Sequence, residues 1–118
     1  MRNIFKFGWF LPLAFIVAQA SMPYTTTPQG PLTYTIASGG TAVTVFNGST
    51  IPRWATVENP PTATETLYVD FTGATAVAGS GTAFALSPGQ GFTFPGLITT
   101  SVSAVAATSS HTFVAVRY

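Results

Sequence analysis

The stretch TLYVDF at residues 66–71 alternates apolar side chains with polar or amphipathic ones, and this pattern decides the fold of the chain. Successive side chains of an extended strand point to opposite faces, so Leu67, Val69 and Phe71 share one face. Alternation among β-branched and aromatic residues is typical of a half-buried strand. We therefore predict a strand here, with these three side chains in the core and the residues between them facing out.

Seven further short runs repeat this alternation, with turn signals roughly every 8–12 residues. Gly39-Gly40, Pro88-Gly89 and Pro95-Gly96 mark turns, and Asn47-Gly48 is a strong signal for a tight turn. The predicted strands cover residues 32–36, 41–46, 53–58, 66–71, 82–86, 91–94, 101–106 and 112–117. Short strands without a helical window after residue 20 predict an all-β fold. We expect an antiparallel β-sandwich over residues 32–118, or the related barrel.

Aromatic side chains alternate with polar residues on these strands, which is the pattern of a core and not of a base-stacking platform. The predicted aromatic core consists of Phe46, Trp54, Phe71, Phe84, Phe92, Phe94 and Phe113. Val102 and either Ala104 or Val105 are expected to join it. The last strand has apolar residues on both faces, so we expect it to be central in the sandwich or covered by a partner.

The low content of charge limits the kinds of function. Of the 118 residues, 6% are charged and 47% hydrophobic, against about 25% charged in a typical domain. After residue 20 two arginines face three acids, so there is no basic patch of the kind that binds nucleic acid. The absence of cysteine excludes disulfides and thiolate metal sites. A surface of small polar residues suits a protein packed in an assembly, or a secreted domain.

The first 20 residues have the layout of an export signal. Arg2 and Lys6 precede an apolar run, and Ala18-Gln19-Ala20 precedes Ser21 as a cleavage site would. Alternatively, the segment is a retained arm that packs on a neighbour or enters a membrane interface, or a buried N-terminal helix. Its apolar run of 14 residues, interrupted by Pro12, would form a helix of about 21 Å, too short for a bilayer core of about 30 Å.

A retained arm would be anchored by its large apolar side chains. These candidate anchoring residues are Phe7, Trp9, Phe10, Leu11, Leu13, Phe15, Ile16 and Val17. Residues 21–31 are rich in proline and threonine, so we expect an extended linker between the segment and the domain.

Few residues could carry catalysis. The single histidine, His111, lies in the run Ser-Ser-His-Thr, and as a general base it would need an orienting acid. The acids are Glu58, Glu65 and Asp70, and none lies in a recognisable motif. We therefore predict that His111 is a solvated loop residue. We expect no catalytic residue, metal ligand, cofactor or small-molecule substrate.

Two further polar features have structural explanations. Asp70, on the outward face of its strand, is expected to pair with a neighbouring hydroxyl group or with Arg53 or Arg117. Asn47-Gly48-Ser49 matches a glycosylation sequon, but the turn prediction accounts for it fully.

Several runs resemble segments of a known class of protein. WATVEN at 54–59 and TETLYVDF at 64–71 resemble the opening strands of small β-sandwich structural proteins of bacteriophage virions. FALSPGQ at 84–90 is similar to their strand, Pro-Gly, strand hairpin, and VSAVAAT at 102–108 with TFVAV at 112–116 to their last two strands. The resemblance covers a little over half of the chain. It implies a capsid decoration protein, a head fibre or spike, or a tail component, without enzymatic activity; the hydrophobic N-terminal segment departs from the pattern.

These observations lead to three functional hypotheses. The first is a non-enzymatic structural protein of a bacteriophage virion, a homo-oligomer attached to other virion proteins, or to a membrane, through its N-terminal arm. The alternative is a secreted, adhesin-like bacterial surface protein whose signal is cleaved between Ala20 and Ser21. The third is a small enzyme or ligand-binding barrel built around His111 and Asp70. Nucleic acid is not expected as a partner of any of them.

Overall fold

The computed structural model describes residues 29–118, which fold into β-strands without a helix. The strands are β1 Gln29–Ile36, β2 Val43–Phe46, β3 Ala55–Glu58, β4 Leu67–Asp70, β5 Ala83–Leu86, β6 Gly91–Thr93, β7 Val102–Val105 and β8 His111–Arg117. All of the predicted strands are confirmed, with small shifts at their ends. The largest shift is at β1, which begins inside the predicted linker. The predicted anchoring residues, from Phe7 to Val17, lie outside the described residues.

The strands form two antiparallel sheets of four strands each. Sheet A has the order β1-β8-β3-β6, and sheet B has the order β2-β7-β4-β5. The first strand pairs with the last, the second with the seventh, the third with the sixth and the fourth with the fifth, as in one long hairpin wrapped around itself. This is the topology of a double-sheet jelly roll, so the predicted β-sandwich is confirmed.

The connections between strands alternate between the two ends of the sandwich. One end, which we call the histidine end, holds the connections 37–42, 59–66, 87–90 and 106–110, beside His111 at the start of β8. The opposite end, which we call the arginine end, holds the connections 47–54, 71–82 and 94–101, beside Arg117 at the end of β8. Residues far apart in the sequence therefore meet at each end.

The Asn47-Gly48 pair does not form the tight turn that the sequence predicts. β2 belongs to sheet B and β3 to sheet A, so their connection crosses between sheets instead of reversing within one. Gly48 lies outside the left-handed backbone region that a two-residue hairpin of this type needs. Pro88-Gly89, in contrast, is a turn as predicted: Gly89 has a φ of 86°, and the Gln90 N–H donates to the Ser87 carbonyl.

The inner faces of the two sheets form the core. All three apolar side chains of the stretch at residues 66–71 are buried, as predicted. Phe71 lies at the centre of an aromatic group that joins the sheets. Its ring centroid is 5.8 Å from that of Phe84, 5.7 Å from that of Phe92 and 5.3 Å from that of Phe94. This group holds β4 and β5 of sheet B against the β6 edge of sheet A.

On β7 the choice between two neighbouring residues is settled by register. Ala104 is paired with Val69, and both side chains belong to the core, as does Val102. Val105 is paired with Tyr68 and points to the opposite face of sheet B.

Two of the predicted core aromatic residues are exposed. Trp54 is 52% exposed, because it precedes β3, in which Ala55 and Val57 face inward, and alternation turns it outward. Phe84 is 38% exposed because β5 is an edge strand, although its ring stacks on that of Phe92. The other predicted aromatic residues lie in the core or pack against it: Phe46, Phe71, Phe92, Phe94 and Phe113.

The last strand is internal, as one of the two expectations for it held. β8 lies between β1 and β3 in sheet A, and both neighbours are antiparallel to it. Phe113 and Ala115 face the core, whereas Val114 and Val116 are half-buried on the outer face of the sheet. Pairing on both sides explains why this strand is apolar on both faces.

The outer face of sheet B is partly covered by the β4–β5 connection. The Ser103 hydroxyl on β7 donates to the Ala74 carbonyl at 2.9 Å and accepts from the Ala76 N–H at 2.8 Å. Both Ser103 and Ala76 are buried by this contact. A single serine therefore fixes the middle of the connection to the sheet.

Asp70 points to the outer face of sheet B, as predicted, but it is fully buried. Its Oδ1 accepts from the N–H and the hydroxyl of Thr72, at 2.7 and 2.6 Å, and its Oδ2 accepts from the Thr82 hydroxyl at 2.7 Å. Pairing with a hydroxyl is confirmed, and the described residues form no ion pair between Asp70 and Arg53 or Arg117. Burial alone would raise the pKa of Asp70, but these hydrogen bonds outweigh it and lower the pKa.

The Phe71→Ala substitution should destabilise the domain severely. Removing a buried phenylalanine ring costs about 3–5 kcal/mol, which is a large part of the 5–15 kcal/mol typical of a small domain. Leu97→Ala is the control, because Leu97 is 59% exposed and should change stability by less than about 0.5 kcal/mol. Urea unfolding measures both; equal stability of the two variants would contradict the central place of Phe71.

The Asp70→Asn substitution should weaken the dependence of stability on acid pH. Because the folded state lowers the pKa of Asp70, its carboxylate contributes stability that is present above the ordinary pKa and is lost as the pH falls through the lowered value. Stability of the wild type should therefore decline below about pH 4, more steeply than that of the variant. Urea unfolding across this range measures the two slopes, and identical slopes would count against the role of Asp70.

Candidate functional site

The most connected polar residue of the histidine end is Asn59, which follows β3 and is fully buried. Its Nδ2 donates to the Glu65 carbonyl at 2.9 Å and to the Leu86 carbonyl at 2.8 Å. Its backbone N–H donates to the Gln90 carbonyl, and its carbonyl accepts from the Gly89 N–H, both at 2.8 Å. One side chain thus ties the end of β3 to the next connection and to β5 in the other sheet.

His111 packs against this asparagine at the start of β8. Its Nε2 is 2.9 Å from the Oδ1 of Asn59, and its Nδ1 is 3.2 Å from the Oε2 of Glu65. The imidazole ring is buried, since residues at this point of β8 alternate and His111 falls on the inward face. The prediction of a solvated loop histidine is therefore wrong: the preceding serines form the loop, and the strand begins at the histidine itself.

Glu65 completes the group that we call the histidine cluster: Asn59, Glu65 and His111. The Oε2 of Glu65 accepts from the backbone N–H of Thr108 at 3.0 Å and from its hydroxyl at 2.9 Å. The N–H of Thr108 is the main cause that lowers the pKa of Glu65, with smaller contributions from the Thr108 hydroxyl and from His111. The carboxylate joins the connection before β4 to the one before β8.

A cleft of about 220 Å³ opens between these two connections. Its hydroxyl-bearing lining residues are Thr62, Thr64, Thr108, Ser109, Ser110 and Thr112. His111 also lines the cleft, but both of its ring nitrogens face hydrogen-bond acceptors in the cluster. The ring therefore has no free nitrogen that could take a proton from a substrate or from one of these hydroxyl groups.

No other part of the described chain gathers catalytic groups. Within residues 29–118 there is no set of three or more His, Asp or Glu side chains placed to hold a metal ion. Glu58 is exposed on β3, and Asp70 is buried at the arginine end, away from the histidine cluster. Of the three acids considered from sequence, the structure brings only Glu65 to His111.

The arginine end combines buried cationic and aromatic groups. The guanidinium of Arg117 lies 4.9 Å from the centroid of Phe46, and its Nη1 donates to the Asn47 carbonyl at 2.6 Å. The Nη1 of Arg53 is buried without a hydrogen-bond partner among the described residues. Burial, and then the nearby charge of Arg53, lower the pKa of Arg117.

An apolar groove of about 290 Å³ lies beside this end, on the outer side of sheet A. Trp54, Phe94 and Pro95 form its walls. The backbone N–H of Tyr118 donates to the Trp54 carbonyl at 3.0 Å, so the exposed ring of Tyr118 belongs to the same region. The sequence did not predict this groove, because Trp54 was placed in the core.

Comparison of the chain with protein-family models, with curated proteins and with solved structures finds no match. Residues 29–118 contain no helix of the length and hydrophobicity needed to cross a membrane. The site is therefore described by its own geometry.

Asn59 is the site residue that sequence reasoning missed. In the sequence it ends a strand ahead of Pro60 and Pro61, and an asparagine before proline is an ordinary strand terminator. Its partners Leu86 and His111 are 27 and 52 residues away. No local pattern could have indicated them.

Asn59→Ala should destabilise the protein far more than the same change at Asn47. The first substitution leaves a ring nitrogen and two carbonyl groups buried without partners, and each such group costs about 1–3 kcal/mol. The side chain of Asn47 is exposed and makes no hydrogen bond in the described chain, so its loss should cost less than about 0.5 kcal/mol. Urea unfolding of both variants measures the difference, and a near-neutral Asn59→Ala would contradict the structural role of the amide.

Proposed function

We propose that this chain is a non-enzymatic structural component of a bacteriophage virion, such as a capsid decoration, head fibre or spike, or tail protein, and that it assembles as a homo-oligomer. The observation that carries the proposal is a jelly roll whose exposed surface is apolar or hydroxyl-bearing and almost free of charge. Jelly rolls recur in viral capsid proteins, and this analogy raises the prior without proving a role.

The outer face of sheet A supports an assembly role. Its outward side chains on the four strands are Thr33, Thr35, Thr56, Glu58, Thr93, Thr112, Val114 and Val116. Only Glu58 is charged, and the Thr56 and Thr93 hydroxyls bond to each other at 2.8 Å instead of reaching for other groups. At the end of this face stands the exposed ring of Trp54. Contiguous exposed apolar surface of this kind marks interaction sites.

The state of the polar groups also favours a structural role. The histidine cluster uses its nitrogens and oxygens to hold connections together, as do Asp70 and Ser103 at the other end. Groups that already bond to one another serve stability, whereas catalytic groups must keep an atom free for the substrate.

A secreted bacterial surface protein is the second candidate. It is favoured by the layout of the first 20 residues, in which two basic residues, an apolar run and Ala18-Gln19-Ala20 follow in the order of an export signal. In this case the mature chain would begin at Ser21.

Mass spectrometry of the proteins in purified phage particles distinguishes the two candidates. The proposal expects peptides of this chain in the particles, and attachment through the arm expects the N-terminal peptide that precedes Ser21 among them. Its absence from particles, together with a mature chain beginning at Ser21 outside bacterial cells, would support the second candidate and overturn the first.

Oligomerisation through the Trp54 region can be tested with matched exposed residues. The full chain should have the mass of an oligomer in light scattering after size exclusion, and Trp54→Thr should shift it toward the monomer. Val77→Thr is the control, because Val77 is 56% exposed but lies on the connection that covers sheet B. A monomeric wild type would contradict the proposal, and an equal shift in both variants would contradict the choice of surface.

A further inference from the structure

The orientation of the Asn59 amide determines which atom faces His111. Both hydrogens of Nδ2 are used, because Nδ2 lies 2.9 Å from the Glu65 carbonyl and 2.8 Å from the Leu86 carbonyl. A flipped amide would place its oxygen against these two carbonyl oxygens, which cannot donate. The oxygen of Asn59 must therefore be the atom that lies 2.9 Å from the Nε2 of His111.

This orientation determines the protons of the imidazole ring. An amide oxygen can only accept, so Nε2 must carry a hydrogen. A neutral imidazole has one N–H, which would leave a lone pair on Nδ1 pointing at the Oε2 of Glu65, 3.2 Å away. Two lone pairs in such a contact repel. The contact is favourable only when one more proton lies between Nδ1 and Oε2, as it does in an imidazolium–carboxylate pair.

The surroundings of His111 supply no other charge that could substitute for this proton. Glu58 on the neighbouring β3 is exposed on the opposite face of sheet A. Tyr34 on β1 lies on the inner face but stacks on Phe113, further along the sheet, and its charge interaction is with Arg117. The segments 37–42, 83–90 and 102–110, which also meet at this end, contain no titratable side chain.

We propose that His111 and Glu65 form a proton-dependent latch at the histidine end, closed while the pair holds the proton between Nδ1 and Oε2 and released when rising pH removes that proton to solvent. The inference concerns the folded domain and does not depend on the proposed function.

The latch controls two connections that have little else to hold them together. Glu65 binds the connection before β8 through the N–H and hydroxyl of Thr108, and Asn59 binds the connection before β4 through the Glu65 carbonyl. Repulsion between Nδ1 and Oε2 pushes the carboxylate away from both His111 and Thr108. The walls of the hydroxyl-lined cleft then separate.

The composition of the chain makes the test clean. It has one histidine and no cysteine, so His111 is the only side chain whose ordinary titration falls between about pH 6 and pH 8. If the folded state holds the proton more tightly than the unfolded chain, stability falls as the pH rises. We expect the unfolding constant of the full chain, from urea titrations, to increase by about tenfold over this interval.

Two substitutions separate the contacts of the ring. In His111→Asn the amide nitrogen takes the place of Nδ1 and can donate to Glu65, and in His111→Gln it takes the place of Nε2 and can donate to Asn59. Neither side chain titrates, so both variants should have flat profiles, and the N-terminal amine is common to all three proteins. A wild-type profile as flat as theirs, or one that rises with pH, would overturn the proposal.

Nuclear magnetic resonance of the wild type gives an independent readout that survives if the variants fail to fold. The single imidazole should show protons on both nitrogens at about pH 6, and the Thr108 amide should lose protection at about pH 8. The Gly40 amide is the control, because it donates to the Ala106 carbonyl in the same region without involving Glu65. A ring with one proton in the folded protein at pH 6, or equal loss of protection at both amides after correction for intrinsic exchange, would contradict the latch.

Discussion

The buried amide of Asn59 is the interaction on which the histidine end of the molecule depends. It supplies two donors to carbonyl groups in different segments and one acceptor to His111. Every connection at that end except the first reaches this residue directly or through one neighbour. A sandwich of two sheets needs such a tie, because the connections that cross between sheets have no ladder of backbone hydrogen bonds to satisfy their polar groups.

The two ends of the jelly roll solve the same problem with different chemistry. At the histidine end, an amide, a carboxylate and an imidazole bond to one another and close the end with polar contacts. At the arginine end, Asp70 and Ser103 fix one long connection, while Arg117 packs over Phe46 beside an apolar groove. The first end is internally satisfied. The second leaves apolar surface exposed, and this asymmetry is what makes it the better candidate for contact with another molecule.

The scarcity of charge has a direct structural consequence. With so few ionisable groups, each buried one has a defined set of partners: Asp70 with threonine hydroxyls, Glu65 with Thr108 and His111. Threonine takes the place that charged residues have on most surfaces, and on sheet A its hydroxyls pair across strands. Such a surface gives little electrostatic repulsion between copies, which is consistent with a protein that works in an assembly.

Alternation along the sequence determined the strands and the facing of most of their residues, because the parity of side chains along a strand is a local property. It placed residues 66–71 correctly and set Trp54 opposite Ala55, although the prediction of a Trp54 core position ignored that parity. Only the tertiary structure decided what covers each face. Asp70 and His111 lie where the sequence predicts polar exposure, yet both are buried, because partners 12 and 52 residues away fold over them.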